Sequence, residues 1–477
     1  MSGITRIGSP GSRPPTPAPL AILADAKDEL IATVRSSIPP GDNLIYLRKS
    51  WRFRRDPLTE LLDLYDRYGP VFSVRVLFGL NVFMLGPEAN HFMLVSGRDN
   101  FAWRSGRMGD LIPLLGDGLL TTDGDFHDSS RAIMMPAFHR DRVASAAQVM
   151  SEEASAAAEG LDITEPVDVY HWTRDVAMRI ALRALFGFDP DSSRAEEMAS
   201  TFESGLNFYG REYPMQMMFG PFTPLAGLHA DRKRLENLVG AEIARRRRDG
   251  GGGSGEDILS SLVDATDEEG GRLEESHVLD HVLTLLFAGH DTTTSTVSFL
   301  AYELARNPEW TLKLRAELDE VCGDREPTAE ELFGELPLMT RAVDETLRLY
   351  PPAWIGARRS VKDFEFEGVT VPAGLPIAYS SYVSHRLPDV WDRPDDFLPD
   401  RFSPEGRAAM PRGAYVPFGM GPRVCIGKRF GYTEVHAIAA ALVRRFDLEL
   451  LPDHKLTIQQ APTLSPRGGL PIRLTRR

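Results

Sequence analysis

The stretch Phe418-Gly-Met-Gly-Pro-Arg-Val-Cys-Ile-Gly427 holds one of only two cysteines in 477 residues. It sets a thiol among glycines, two residues after an arginine. A helical pattern follows at once, Gly427-Lys-Arg-Phe-Gly-Tyr-Thr-Glu-Val-His-Ala-Ile-Ala. The thiolate, not the thiol, is the strong metal ligand, and at neutral pH it needs stabilising neighbours. A helix N-terminus supplies them as free N–H groups and a positive dipole end. Gly421 and Gly427 permit tight turns and close approach of backbone to a flat ligand, and Arg423 can reach an anionic edge of that ligand.

A zinc site would need further Cys or His ligands at short spacing, and none lies near Cys425. One thiolate without local companions suits the axial position of a haem iron, because the porphyrin supplies the other four ligands. The pattern Phe-x-x-Gly-x-Arg-x-Cys-x-Gly, matched at Phe418, Gly421, Arg423, Cys425 and Gly427, resembles the haem-binding loop of the cytochrome P-450 superfamily. The resemblance implies haem b (iron protoporphyrin IX) as cofactor, Cys425 as the iron ligand, and Phe418, Gly419, Arg423 and Gly427 around it.

Companion motifs carry the resemblance further. Ala288-Gly-His-Asp-Thr-Thr-Thr294 puts a glycine and three threonines inside a long helical pattern, where each weakens the helix. Such a local violation points to function. The segment is similar to the family's Ala-Gly-x-Asp-Thr-Thr, which crosses the distal haem face. Ala288 and Gly289 then border the haem, while Asp291 and Thr292 take the acid and alcohol positions that relay protons. The bland alternative is a threonine back-bonding to the preceding turn and bending the helix. His290 falls on the family's variable position and reads as a packed or surface histidine.

Glu345-Thr-Leu-Arg348 places opposite charges at i and i+3 on one helix face. Phe397-Leu-Pro-Asp-Arg-Phe402 is similar to the family's Pro-Glu-Arg-Phe segment, with Asp400 where glutamate is usual. The resemblance implies a buried structural network of Glu345, Arg348 and Arg401 that braces the loop. Gly124-Asp-Phe-His-Asp-Ser-Ser-Arg131 resembles the propionate-gripping segment, which assigns His127 and Arg131. Arg358, beside Arg359, takes the place of a further propionate arginine, with the choice between the two left open. His139 and His385 carry no assignment.

Composition sets the limits. Lys plus Arg number 54 against 68 Asp plus Glu, a net charge of −14, which disfavours nucleic acid or an anionic membrane as a general partner. Two distant cysteines form no disulfide framework and suit a reducing cytoplasm; Cys322, at a helix end, reads as a small apolar filler. No stretch approaches the ~18 uninterrupted apolar residues of a spanning helix. Residues 1–44, rich in Pro, Ser and Gly at the start, are expected to form an extension whose first ~20 residues are mobile.

From 45 to 477 the periodicity predicts one large, mainly α (α+β) domain. It has a hairpin at Val71–Val76 and Asn81–Gly86, and helices over Ala144–Ala158, Asp175–Phe186 and Met339–Tyr350. A long helix is expected from about Leu273 to Arg306, with short strands at 364–367, 369–371 and 472–474. The run Arg245–Arg248, followed by Asp-Gly-Gly-Gly-Gly-Ser-Gly, reads as a helix C-terminus and a flexible loop.

The resemblance covers about residues 45–477 and implies a cytoplasmic, bacterial-type monooxygenase. It would insert one atom of dioxygen into a lipophilic small molecule, with electrons from a ferredoxin or flavodoxin-type donor and its reductase. Lys428, Arg429, Arg444 and Arg445 are expected to form the basic face for that donor. Substrate would be lined by about Phe101–Leu120, Phe202–Phe222, Leu286–Thr292 and Pro352–Ala357, the second rich in Met and aromatics. Two other classes stand beside this one: a peroxide-driven oxygenase or isomerase, and a non-catalytic haem carrier. Relatives of the first kind usually alter the acid–alcohol pair, which is intact here, and an intact pair would serve no purpose in a carrier.

Overall fold

A computed structural model describes residues 27–32, 38–44, 47–76, 79–211, 213–216, 218–248, 257–264 and 273–477. The expected mobile start, residues 77–78 of the hairpin turn and the glycine-rich run after Arg248 lie outside the described residues.

The chain is mainly helical, as its periodicity predicts. In order come β1 (Val71–Val76), β2 (Gly79–Met84), α1 (Gly124–Met134), α2 (Arg140–Glu159), α3 (Val169–Ile180), α4 (Ser193–Asn207) and α5 (Pro224–Arg248). They are followed by α6 (Glu275–Arg306), α7 (Pro308–Cys322), α8 (Pro337–Leu349), β3 (Gly356–Ser360), β4 (Pro376–Tyr379) and α9 (Lys428–Arg445). The chain closes with β5 (Phe446–Leu450), β6 (Ile458–Gln459), β7 (Ser465–Pro466) and β8 (Pro471–Arg476). Local chemistry starts several helices where they start. The Asp168 carboxylate accepts from the amides of Tyr170 and His171 at the head of α3, and the Ser192 hydroxyl accepts from Ala195 at the head of α4.

α6 is the axis of the molecule. Between Val278 and Leu304 nearly every side chain is buried, the mark of a helix enclosed on all sides. It packs against α3 and α9, and α9 against α2. Val297, Phe299 and Leu300 of α6 share the main hydrophobic core with Ala437 to Val443 of α9. The β region sits to one side. β1 and β2 pair antiparallel from Val71↔Met84 to Val76↔Gly79; β4 then joins β2 in parallel and β3 pairs antiparallel with β4. A smaller sheet joins β5, β8 and Val167–Asp168.

The boundary expected at residue 45 is crossed by several contacts. Gly41–Asp42 adds a parallel strand to β1, Ala32 is buried, and Glu29 pairs with Arg75.

Candidate functional site

The Cys425 loop is shaped by two left-handed glycines. Gly419 and Gly421 have φ of 69° and 68°, where a Cβ is strained. A Cβ on Gly421 would also sit 2.6 Å from the Leu94 carbonyl oxygen. Gly427 differs from expectation: as the residue capping α9 its φ is −85°, so no conformational freedom of glycine is used there. The Cys425 amide donates to the Phe418 carbonyl at 2.9 Å, folding the loop back on itself.

Cys425 is exposed by accessible area, yet dense protein around it pushes its thiol up from the usual range. The Gly427 amide and the charges of Arg131 and Lys428 oppose that rise. Crowding and accessibility hold together for a group in the wall of a recess. Bound metal and the helix end would both favour the thiolate.

Behind the loop lies the brace. Glu345 and Arg348 are both fully buried and pair through two hydrogen bonds of 2.7 and 2.8 Å. Arg348 spends its other N–H groups on the carbonyls of His385, Pro394 and Asp396. Glu345 also accepts from the Leu398 amide at 2.8 Å and from Arg401 at 3.3 Å. Asp400, the residue that departs from the family pattern, stays on the surface near Arg341.

Two partners of this brace escaped the sequence reading. His385 donates from Nδ1 to the Arg348 carbonyl, and its Nε2 accepts from the Val416 amide at 2.9 Å, two residues before Phe418. Burial and then Arg348 lower its pKa to about 3, so the ring is neutral and can accept. Asp344 is fully buried and bonded by Tyr415 at 2.8 Å, by Tyr432 and by Arg407; Tyr432 in turn lies 5.2 Å from the Phe418 ring. The signal was in the sequence: two adjacent carboxylates, Asp344 and Glu345, on a mostly buried helix each need a partner.

Four cationic or potentially cationic groups share one neighbourhood. Arg423 pairs with Asp123 at 2.9 Å. His127 is buried, with Nδ1 2.8 Å from Asp128; burial first, then Arg423, lower its pKa to about 4. Arg131 is half-buried and forms no hydrogen bond or ion pair among the described residues; burial lowers its pKa. Arg358 is buried, its guanidinium 3.3 Å above the Trp103 ring, and burial lowers its pKa to about 10. Arg359 instead bonds the carbonyls of Ser105 and Gly374. Asp123 and the exposed Asp128 are too few acids for this set, so a group carrying two carboxylates beside Cys425 fits it.

The middle of α6 opens where the motif predicts. From Val278 to Ala301 only Ala288, Gly289 and Thr292 are accessible, three residues of one face at i, i+1 and i+4. The Thr292 hydroxyl donates to the Ala288 carbonyl at 2.6 Å, the helix back-bond that the bland alternative describes. Asp291 is buried on another side, where its Oδ2 accepts from Thr463 at 2.6 Å. It lines a cavity of about 420 Å³ with Tyr170, Arg174, Asn207, Arg211 and Gln459 among others. His290 is buried and donates to the Arg174 carbonyl at 3.2 Å, a packed histidine. Thr293 donates to Glu434 of α9 at 2.7 Å, and burial raises that carboxyl to about 8.

The basic face is smaller than expected. Lys428 and Arg429 are exposed near Cys425. Arg444, at the far end of α9, bonds the carbonyls of Gly323 and Arg325, and Arg445 bonds Glu159 and Glu326. Among the described residues no helix is long and apolar enough to cross a membrane, and no group of three or more His, Cys, Asp or Glu side chains could hold a metal ion.

The profile of the Cytochrome P450 family matches residues 39–472. Cyclooctatin synthase of Streptomyces melanosporofaciens is 35% identical over 76% of this chain and 79% of its own length. A putative cytochrome P450 120 of Synechocystis sp. is 30% identical over 92% and 96%. Among solved structures, the retinoic acid-bound cyanobacterial CYP120A1 superposes with a TM-score of 0.81 at 28% identity, covering 92% of this chain and 99% of that one. By the match along its length and by these relatives, the chain belongs to the cytochrome P450 family and is an oxygen-incorporating oxidoreductase.

Proposed function

We propose that Cys425 ligates a haem b iron, that His127, Arg131, Arg358 and Arg423 hold its propionates, and that the site hydroxylates a lipophilic small molecule. The carrying observation is an accessible thiol with three arginines around it, of which Arg131 has no hydrogen bond or ion pair among the described residues. When bound, haem would supply the iron at which dioxygen is activated, and a thiolate from Cys425 would favour O–O cleavage. The chain's residues do the rest. Arg131 and Arg358 have guanidinium groups to offer two carboxylates, and the Arg358 position, buried over Trp103, favours it over Arg359 for this role. Glu345, Arg348, Arg401 and His385 keep the loop in one conformation.

Ala288 and Gly289 leave room beside the recess for dioxygen, with Gly289 adding no side chain. Thr292 presents a hydroxyl to the same opening, where it can orient water or pass a proton. Asp291 serves as the acid behind it. Among the solved relatives one is titled as retinoic acid-bound, and another relative is named cyclooctat-9-en-7-ol 5-monooxygenase. These two compounds are the first probes for the substrate class. Electrons come from a separate ferredoxin or flavodoxin-type donor docking near Lys428 and Arg429.

Cys425→His tests the reading. It is expected to keep some haem while losing the reduced-CO absorption of a thiolate-ligated haem and losing oxygenase activity. An unchanged spectrum in that variant would remove Cys425 from the iron.

A further inference from the structure

Asp291 and Thr292 are neighbours on α6, about 100° apart around its axis, and they face different surroundings. Thr292 shares the opening of Ala288 and Gly289, whereas Asp291 belongs to the wall of the 420 Å³ cavity. Among the described residues, Thr463 is the one side chain hydrogen-bonded to the Asp291 carboxylate. The other charged or titratable groups near it are Tyr170 and Arg174 of α3, Glu203 of α4, His290 and, on the same cavity wall, Arg211. Arg174 is engaged with Glu203 at 3.1 Å and with the Tyr170 hydroxyl at 3.5 Å.

Thr463 sits in the turn between β6 and β7, and that turn is fastened on two sides. The Leu464 carbonyl accepts from Ser295 of α6, one helical turn beyond Asp291. The Leu464 amide donates to the Pro352 carbonyl at 3.0 Å, and the Trp354 indole donates to the Gln460 carbonyl at 2.9 Å. Consecutive residues of the turn therefore grip α6 at 291 and 295. The same turn holds the segment 352–354, which the family resemblance places against substrate.

We propose that Thr463 is a positioning residue: it holds the Asp291 carboxylate on the cavity wall, and through its turn the placement of residues 352–354 reaches the acid. The inference rests on the acid role of Asp291 given above. A hydroxyl donated to a carboxylate favours the charged form.

The test uses the substrate-free holoenzyme and three variants: Thr463→Val, Thr463→Ser and Asp291→Asn. The first readout is the position of the infrared carboxyl band that Asp291→Asn deletes, which reports the hydrogen bond the group accepts. The second is reductant consumed per dioxygen, which is one two-electron equivalent when peroxide is released and two when water is formed. Thr463→Val is expected to shift that band, because the carboxyl loses the hydroxyl it accepts from, and to shift the ratio toward peroxide, with Thr463→Ser near the parent in both. A band unmoved in Thr463→Val, or moved equally in Thr463→Ser, would overturn the assignment. If Asp291→Asn leaves the ratio unchanged, the acid role itself fails; if it shifts the ratio and Thr463→Val does not, only the role of Thr463 fails.

Discussion

The two sides of the Cys425 recess are built by opposite rules. On the brace side both carboxylates are buried and partnered: Glu345 with Arg348, Arg401 and the Leu398 amide, Asp344 with two tyrosines and Arg407. On the α6 side some buried polar atoms are left alone, although Asp291, Thr293 and Ser295 are bonded. Among the described residues neither ring nitrogen of His281 is hydrogen-bonded, nor is the Thr284 hydroxyl. Apolar side chains meanwhile reach solvent between α4 and α5, at Met215, Met218, Phe219 and Phe222. A satisfied buried network specifies one arrangement; loose polar atoms and exposed Met and Phe allow several. A metal ligand needs the first, and a pocket for bulky lipophilic molecules tolerates the second.

The comparison breaks first if the brace is dispensable. Arg348→Ala strands the buried Glu345 carboxylate and is expected to cost on the order of 3–5 kcal/mol. Denaturant unfolding and recovered haem content measure it, and a variant that keeps parental stability would deny the brace its role.

Thr292 tests the open side. Thr292→Ala removes a hydroxyl that bonds a carbonyl of its own helix, so stability should hardly change. Product formed per reductant consumed is expected to fall about tenfold, less than the full worth of a placed proton donor because ordered water can substitute. Thr293→Ala should keep that ratio, since its hydroxyl is spent on Glu434, but should lose stability. Equal coupling in both variants would return Thr292 to helix architecture.

Glu434 sharpens the contrast through pH. Its folded-state pKa is raised to about 8 by burial, so the native state holds a proton that the unfolded chain has released. Stability should therefore fall as pH rises from about 4.5 through 8 and level off above, by at most about 1.4 kcal/mol per unit for one proton. Glu434→Gln keeps an acceptor for Thr293 and should flatten that fall. Parallel stability–pH curves for the two proteins would place the titration elsewhere.

The smallest effect is at the surface. Reversing Lys428 and Arg429 is expected to slow reduction by a ferredoxin several-fold at low salt and much less at high salt, as steering does. Reversing Arg444, which is tied to two carbonyls, should cost stability instead. Salt-independent slowing would argue against a docking role for the pair.

Much of this was legible in one dimension because the chemistry is local. The loop from Phe418 to Gly427 carries its turn residues, its thiol and the start of the helix behind it in one short run, and Ala288 to Thr294 breaks helix rules within a turn or two. Less legible were residues whose meaning lies in a distant partner. His385 looks like any histidine until Val416 and Arg348 stand on either side of it. Arg444 and Arg445 look like a continuation of Lys428 and Arg429, although the length of α9, about 24 Å of rise, separates the two pairs and turns them to other partners.

By itself the sequence determined the helical class, the thiol loop and the open turn of the long helix, whereas the pairing of Glu345 with Arg348 was marked only by the family resemblance, since charges at i and i+3 are common on helix surfaces. Each of these is written in neighbours along the chain or in one helical period. Only the tertiary structure decided that Arg358, rather than Arg359, lies buried over Trp103, and that Asp291 bonds Thr463 across 172 residues. It alone gathered His127, Arg131, Arg358 and Arg423 into one place. Those outcomes depend on which elements pack together, and burial and the partners that packing supplies set the charge and direction of a side chain.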